Sequence, residues 1–350
     1  MAEARVLNYE RKADWNRFVD NNDSASPYHR YEWLQATETA YGHKALPLVV
    51  IHENEIVAAL PLVLMKHPLF SGRSLVSLPF CDVGGVLGNP GYNPLLREKA
   101  LEVARDHRAS LLEIRERATD GLGFDFDQLG ETWAGYKVSM LMPLATDSDA
   151  QLASFKPKLR SQIKKAAKNG CTTQLGNSPG LIRDFYHVFS RNMRQLGSPV
   201  HSEEFFHAIC TAYGDNAIIG VTYLDGQPTA AGIILKNGRQ ASIPWASSLA
   251  EYNRLAPNMS LYWTLIAHCA DTGIGQFDFG RSSFGEGTFR FKKQWGAEPH
   301  LLTWQNWLDE GNTRRPGQGR LRTLAEQVWS RLPLGLVNFL GPFVRKHIRL

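Results

Sequence analysis

Hydrophobic and polar positions along the chain fall into two similar patterns, one in each half. Residues 49–63, Val-Val-Ile-His-Glu-Asn-Glu-Ile-Val-Ala-Ala-Leu-Pro-Leu-Val, form a β-rich run, a two-residue turn at Glu53-Asn54 and a second run. Residues 221–235, Val-Thr-Tyr-Leu-Asp-Gly-Gln-Pro-Thr-Ala-Ala-Gly-Ile-Ile-Leu, repeat this around Asp225-Gly226. Asp-Gly between apolar runs is a strong hairpin signal and Glu-Asn a weaker one. Aligning the turns sets Ala58-Ala59 on Ala230-Ala231. Downstream, Leu95 to His107 has helical periodicity and leads into Ser110-Leu111-Leu112-Glu113-Ile114-Arg115. Pro257 to Asp271 is likewise helical and leads into Gln276-Phe277-Asp278-Phe279. Hairpin, strand, helix, strand in each half predicts an α+β chain of two lobes, each a mixed sheet flanked by helices. The first lobe is expected over 1–150 and the second over 151–310.

The second lobe opens on a basic helix, expected over 157–169. Pro157 suits a first helical position, and Gly170 suits one just past the end. Arg160, Lys164 and Lys168 fall at i, i+4 and i+8, stacking three cations on one stripe. A polyanion such as a diphosphate or a nucleic acid backbone would offset their repulsion. A solvated face over an acidic neighbour would explain the stripe equally well. Ser202-Glu203-Glu204 reads as an N-cap with acids in the first turn, and His201 before it as a loop residue.

Charge separates a third region, residues 311–350. The whole chain carries +5, but this stretch holds eight Lys and Arg against Glu326 alone, so residues 1–310 sum to −2. Residues 311–320 read as a glycine- and arginine-rich linker. The basic amphipathic tail beyond is too short and too broken by Pro333, Gly335, Gly341 and Pro342 to span a bilayer. Two readings stay open for it: a terminal helix docked on the body with its arginines outward, or a segment lying in an anionic membrane surface through 320–350.

Apolar content of 43% and charged content of 21% are ordinary for a globular protein. Cys81, Cys171, Cys210 and Cys269 stand far apart, and the histidines show no ligand spacing. Neither a disulfide framework nor a metal site is expected, and a reducing cytoplasm is. Met1-Ala2-Glu3-Ala4-Arg5 has no apolar core of a signal peptide.

Candidate chemistry gathers late in the second lobe. The strand Phe277-Asp278-Phe279-Gly280-Arg281-Ser282 ends in an acid and a base, and Phe291-Lys292-Lys293-Gln294-Trp295-Gly296 follows ten residues on. Polar groups at the carboxyl end of a strand are where α/β proteins usually hold ligands. Gly280, Gly285 and Gly287 would let backbone approach a ligand, but the run lacks the lysine of a nucleotide-triphosphate loop. No serine elbow or Cys-His pairing is present.

On these residues, with Leu261-Tyr262-Trp263-Thr264-Leu265-Ile266, the basic helix and Gly197-Ser198-Pro199-Val200, the chain resembles the FemAB-like branch of the GNAT acyltransferases. More narrowly, it is similar to FemAB-related proteins of exosortase and exopolysaccharide systems. The resemblance covers most of 45–305. It implies two GNAT-like lobes and transfer of an acyl or aminoacyl group to an amine on a phosphate-bearing sugar or lipid-linked envelope precursor. It implies no permanently bound cofactor, and a donor as cosubstrate: aminoacyl-tRNA, acyl-CoA or a carrier thioester. Its place in the matched motif would make Lys292 the group that stabilises the oxyanion or the leaving group. Asp278 would orient or deprotonate the amine by direct attack, with no covalent enzyme intermediate, and Arg281 and Ser282 would contact substrate. Arg160, Lys164, Lys168, Tyr252, Asn258, Trp263 and Lys293 complete the expected binding set. For several of these a structural role reads as well: Asp278 with Arg281 as a strand-end ion pair, Lys293 at the surface, Tyr252 and Trp263 in the core. The usual CoA-binding stretch, Q/R-x-x-G-x-G/A, corresponds to Arg254-Leu255-Ala256-Pro257-Asn258-Met259, which lacks both glycines. An acetyl-CoA enzyme and a non-catalytic binding module are the alternatives, and the expected place is the cytoplasm, peripheral on the inner membrane.

Overall fold

A computed structural model describes residues 2–67, 72–118, 136–308 and 320–349. The first half runs β1 (Glu3–Val6), α1 (Lys12–Asp20), α2 (Tyr31–Tyr41), β2 (Lys44–Ala45), β3 (Leu48–His52), β4 (Glu55–Leu60), β5 (Val63–His67), β6 (Gly72–Val76), β7 (Leu87–Gly88), α3 (Asn93–Asp106), β8 (Leu111–Arg117) and β9 (Lys137–Pro143). Two helices, α4 (Ser148–Ser154) and α5 (Pro157–Lys168), lead into the second half. It runs β10 (Thr172–Gly176), α6 (Pro179–Gln195), α7 (Glu203–Tyr213), β11 (Ala217–Leu224), β12 (Gln227–Asn237), β13 (Gln240–Ser248), α8 (Pro257–Asp271), β14 (Gln276–Ser283), α9 (Gly287–Gln294) and β15 (Glu298–Trp307). The chain closes on α10 (Arg320–Arg331) and α11 (Leu334–Arg345). The linker expected over 311–320 lies outside the described residues, apart from Arg320 at the start of α10.

The repeat is exact in register. Val49 pairs Ala59 and Val50 pairs Ala58 in one hairpin; Val221 pairs Ala231 and Thr222 pairs Ala230 in the other. Each has its irregularity one step on, after Val50 and after Thr222. Both turns take positive φ at both central residues, 49° and 67° at Glu53-Asn54, 48° and 76° at Asp225-Gly226. This primed geometry matches the right-handed twist of the flanking strands.

The two lobes share one sheet. Eleven strands run in the order β10-β11-β12-β13-β14-β9-β15-β8-β6-β5-β2, beside a four-stranded sheet β1-β3-β4-β7. Each lobe's last strand is lent to the other: β9 pairs antiparallel with β14, and β15 pairs antiparallel with β8. The lobes also share a core, in which Trp33 of α2 stacks on Trp245 of β13 with ring centroids 5.7 Å apart. Packing therefore crosses position 150 freely.

The tail is docked. Val337 is buried, and Gly341 sits so close to Val200 that a Cβ would fall 2.8 Å from its Cγ2. The expectation of outward arginines is corrected at Arg345. Its Nε donates to His201 Nε2 at 3.1 Å, and its guanidinium lies over Phe80 at 5.6 Å. Burial pushes Arg345 down to about 10, a cost offset by the neighbouring Tyr41 and by the Phe80 ring. His201 is itself buried, in an aromatic cluster with Tyr41 and Phe205.

Candidate functional site at the lobe junction

The site arises where two strands part. β13 and β14 pair in parallel over three residues, Gln240 with Gln276 to Ser242 with Asp278. β13 then continues with β12 alone, while β14 bulges between Asp278 and Arg281 against β9. Gly280 takes φ +72° within that bulge, a conformation glycine adopts without the steric cost a side chain brings. The turn exposes two carbonyls to α9. Lys292 Nζ donates to Gly280 O at 3.0 Å and to Arg281 O at 2.8 Å. Two of its three N–H bonds are thus engaged within the chain. Burial pushes Lys292 down to about 8, opposed by the carboxylates of Asp82 and Asp278.

Asp278 is buried and held by three donors. Its Oδ1 accepts from Gly280 N at 2.7 Å and from Ser139 Oγ at 2.9 Å, and its Oδ2 accepts from Arg117 Nη2 at 2.9 Å. The reading of Asp278 and Arg281 as mutual partners is corrected, because each pairs with a first-lobe residue instead. Arg281 meets Asp82, its backbone N donating to Oδ2 at 3.1 Å and its Nε lying 3.4 Å from Oδ1. The Arg281 guanidinium also lies over Trp304, 5.2 Å from the ring centroid, and Trp304 Nε1 donates to Asp82 O at 3.2 Å. Ser282 is buried with no hydrogen-bond partner for its Oγ among the described residues.

Other expected residues lie around this centre rather than in it. Trp263 packs edge-on against Phe155 at 6.0 Å, and Tyr252 packs half-buried against the shared core. Both pack on the core while staying half-buried. Its neighbour Tyr262 stacks on Phe279 at 5.7 Å, directly behind the bulge. Lys293 is exposed and lies over the Phe289 ring. Asn258 sits in the first turn of α8, whose N-cap Ala256 holds a left-handed conformation, φ 60°, that glycine would favour. On α5, Leu159, Ile163 and Ala166 are buried, Arg160 is half-buried, and Lys164 and Lys168 are exposed. Gln162 of this helix hydrogen-bonds Gln294, one turn beyond the start of the Lys292 turn, which ties the basic helix to α9.

Asp82, Arg117, Ser139 and Trp304 escaped the sequence reading. Asp82 had a usable signal: it precedes Val83-Gly84-Gly85, and both glycines are needed. A Cβ on Gly84 would lie 2.7 Å from Ser77 O, and one on Gly85 would lie 2.5 Å from Glu116 Cγ. The loop before it holds Leu78 and Phe80 at φ 59° and 68°, and such strained non-glycine backbone concentrates at functional sites.

Known proteins resemble this chain in sequence and in fold. Residues 153–293 match the family model of an acetyltransferase (GNAT) domain. A UDP-N-acetylmuramoylpentapeptide-lysine N(6)-alanyltransferase of Weissella viridescens is 25% identical over 147 residues, 41% of this chain and 44% of that protein. The crystal structure of FemX superposes with a TM-score of 0.68 at 15% identity, over 85% of this chain and 95% of that one. The C-terminal domain, named as that of a lysylphosphatidylglycerol synthetase, from Agrobacterium fabrum gives 0.55 at 14% identity, over 87% and 94%. The match to the alanyltransferase thus spans less than half of that protein's length, whereas the folds agree over most of both chains. The GNAT domain match over 153–293, the 25% identity to a Fem-type alanyltransferase and the FemX-like fold of two tandem GNAT-like lobes make the chain similar to the FemAB-like branch of the GNAT acyltransferases.

Proposed function

We propose that the protein is an N-acyltransferase working by direct attack of an amine on an activated acyl group at the β13/β14 parting. The observation that carries this is the buried Lys292 ammonium, fixed by two carbonyls of the bulge with one N–H left over. Attack forms a C–N bond and puts negative charge on the carbonyl oxygen; collapse expels the alkoxide or thiolate of the donor, and the amine gives up a proton. A preorganised cation in a water-poor site stabilises that charge without reorganising, worth on the order of 3 kcal/mol per donor. With Lys292 near 8, the ammonium prevails at neutral pH. Asp278 already accepts from three donors, so its part is to hold the bulge and Arg117. Asp82, half-buried and facing Arg281, is the better placed carboxylate to orient or deprotonate the amine.

An aminoacyl donor is favoured. The Weissella relative is an alanyltransferase, and the stretch at Arg254–Met259 has Pro257 where CoA sites present backbone N–H groups. The acceptor would be an amine on a phosphate-bearing sugar or lipid-linked precursor, its phosphates met by Arg281 and by the Arg160, Lys164 and Lys168 stripe. Titration of the purified protein with charged and uncharged tRNA, and separately with acetyl-CoA, tests the donor. Preference for charged tRNA is expected, and saturable binding of acetyl-CoA alone would overturn the aminoacyl reading. Retained transfer in Lys292→Ala would remove Lys292 from the mechanism.

A further inference from the structure

The C-terminal helices are bound to the body on one side and bare on the other. Eight of the twelve exposed large hydrophobic residues among the described residues fall between Leu324 and Ile348. On α11, Phe339 and Phe343 are 66% and 57% exposed and pack edge-on at 5.8 Å, flanked by Leu336 and Leu340; α10 adds Leu324 and Val328. A monomer rarely leaves so concentrated a patch uncovered.

We propose that this face seats on an anionic lipid surface. Charge selects the occupant. Arg331 is exposed at the end of α10, Lys346 lies over the Phe343 ring at 5.5 Å, and the exposed Lys66 is tied to the chain just after α11 through its carbonyl, which pairs with His347 Nδ1 at 2.8 Å. Glu326 is the one acid between residues 311 and 350. A second copy would present the same cations to these and repel them, whereas anionic headgroups complement them. No described helix is long and apolar enough to cross a membrane, so the aromatic pair enters the interface with the helix lying flat.

The docked face is fixed to the site rather than tethered to it. α11 runs on to Arg345, which reaches His201 and Phe80, and to Arg349, whose carbonyl accepts from Phe80 N at 2.8 Å and from Arg115 Nη2 at 3.1 Å. Phe80 belongs to the strained loop that delivers Asp82. A bilayer holding α11 therefore sets the height and tilt of the β13/β14 parting above the lipid, whatever acyl group is transferred there.

Sedimentation of the full chain with vesicles tests this, using phosphatidylcholine alone or with about 30% phosphatidylglycerol. Binding to the anionic vesicles is expected, weakening as salt rises. Phe339→Ser/Phe343→Ser should lower partitioning about tenfold or more, and Arg331→Glu several-fold, with thermal unfolding unchanged because the positions are exposed. Equal binding to neutral vesicles, or none to anionic ones, would overturn the proposal. So would a concentration-dependent dimer, seen by light scattering without lipid, that the double serine variant dissociates.

Discussion

The two lobes place a polar cluster at the same point of the same scaffold, and the backbone runs differently around each. In the first lobe β6 and β8 pair in parallel from Ser74 with Leu111 to Val76 with Glu113; in the second, β13 and β14 end their pairing at Ser242 with Asp278. Glu113 thus stands where Asp278 does. Beyond this point the first lobe is sealed by its own loop: Ser77 N donates to Glu113 O, and Gly84 N donates to Arg115 O. Arg115 is fully buried, bonded to Glu113 Oε1 at 2.6 Å and to the carbonyls of Leu78, Cys81 and Arg349, with Trp304 over its guanidinium. Its strand pairs with β15 without interruption from Leu112 to Arg117. The second lobe instead has a bulge, a left-handed glycine and a lysine bonded to carbonyls. One scaffold therefore yields a structural ion cluster where every donor is satisfied internally, and a candidate site where the backbone departs from regular pairing. In the second lobe the buried Lys292, its pKa pushed down, is held by carbonyls of the bulge itself, as expected of a functional site.

The sharpest way to break this contrast is at Lys292. Lys292→Met should cut kcat/KM for acyl transfer about a hundredfold or more while the protein still melts cooperatively. Lys292→Arg separates charge from shape. In the wild type, transfer should fall as pH rises through about 8, because the lysine is then losing its proton. An arginine variant with residual activity should lack that descending limb, since its guanidinium stays charged. A limb that persists unchanged would assign the titration to another group.

Glu113→Ala should act in the opposite manner. It strips the carboxylate from the buried Arg115 and from Arg349, and breaking such a pair costs about 3–5 kcal/mol of stability. Denaturant unfolding should show that loss, and kcat per folded molecule should change little. A stable variant without activity would make the first lobe catalytic and dissolve the contrast.

The smallest effect expected is at Gly280→Ala. A Cβ there meets nothing closer than Asp82 Oδ2 at 3.6 Å, so the cost is the left-handed backbone alone, about 1–2 kcal/mol. If the bulge relaxes instead to regular pairing, kcat should drop out of proportion to that stability loss, as the carbonyls holding Lys292 turn away. Unfolding midpoints and kcat measured on the same preparation distinguish the two.

Much of this was legible along the chain because it is local. Hairpin turns at Glu53-Asn54 and Asp225-Gly226, the helices before Glu113 and Asp278, and the start of α5 at Pro157 all follow from short-range patterning and backbone preference. Lys292 and Asp278 could be named because they lie 14 residues apart on a strand and the helix after it. Trp263, by contrast, shares its periodicity with core residues, and spacing alone cannot tell a pocket wall from packing against Phe155.

What the sequence by itself determined is the doubled α+β pattern, the near-neutral body with its basic end, and the second-lobe run that makes up the candidate site. Tertiary structure alone decided who answers those charges. Arg117 reaches Asp278 across 161 residues, Asp82 meets Arg281 across 199, and Trp304 caps Asp82 across 222. It also decided the exchange of β9 and β15 between lobes, and the inward turn of Arg345. The physical reason is common to all of these. Local propensity acts over one turn of helix or one hairpin, whereas an ion pair or a lent strand depends on which surfaces meet once the apolar faces are buried.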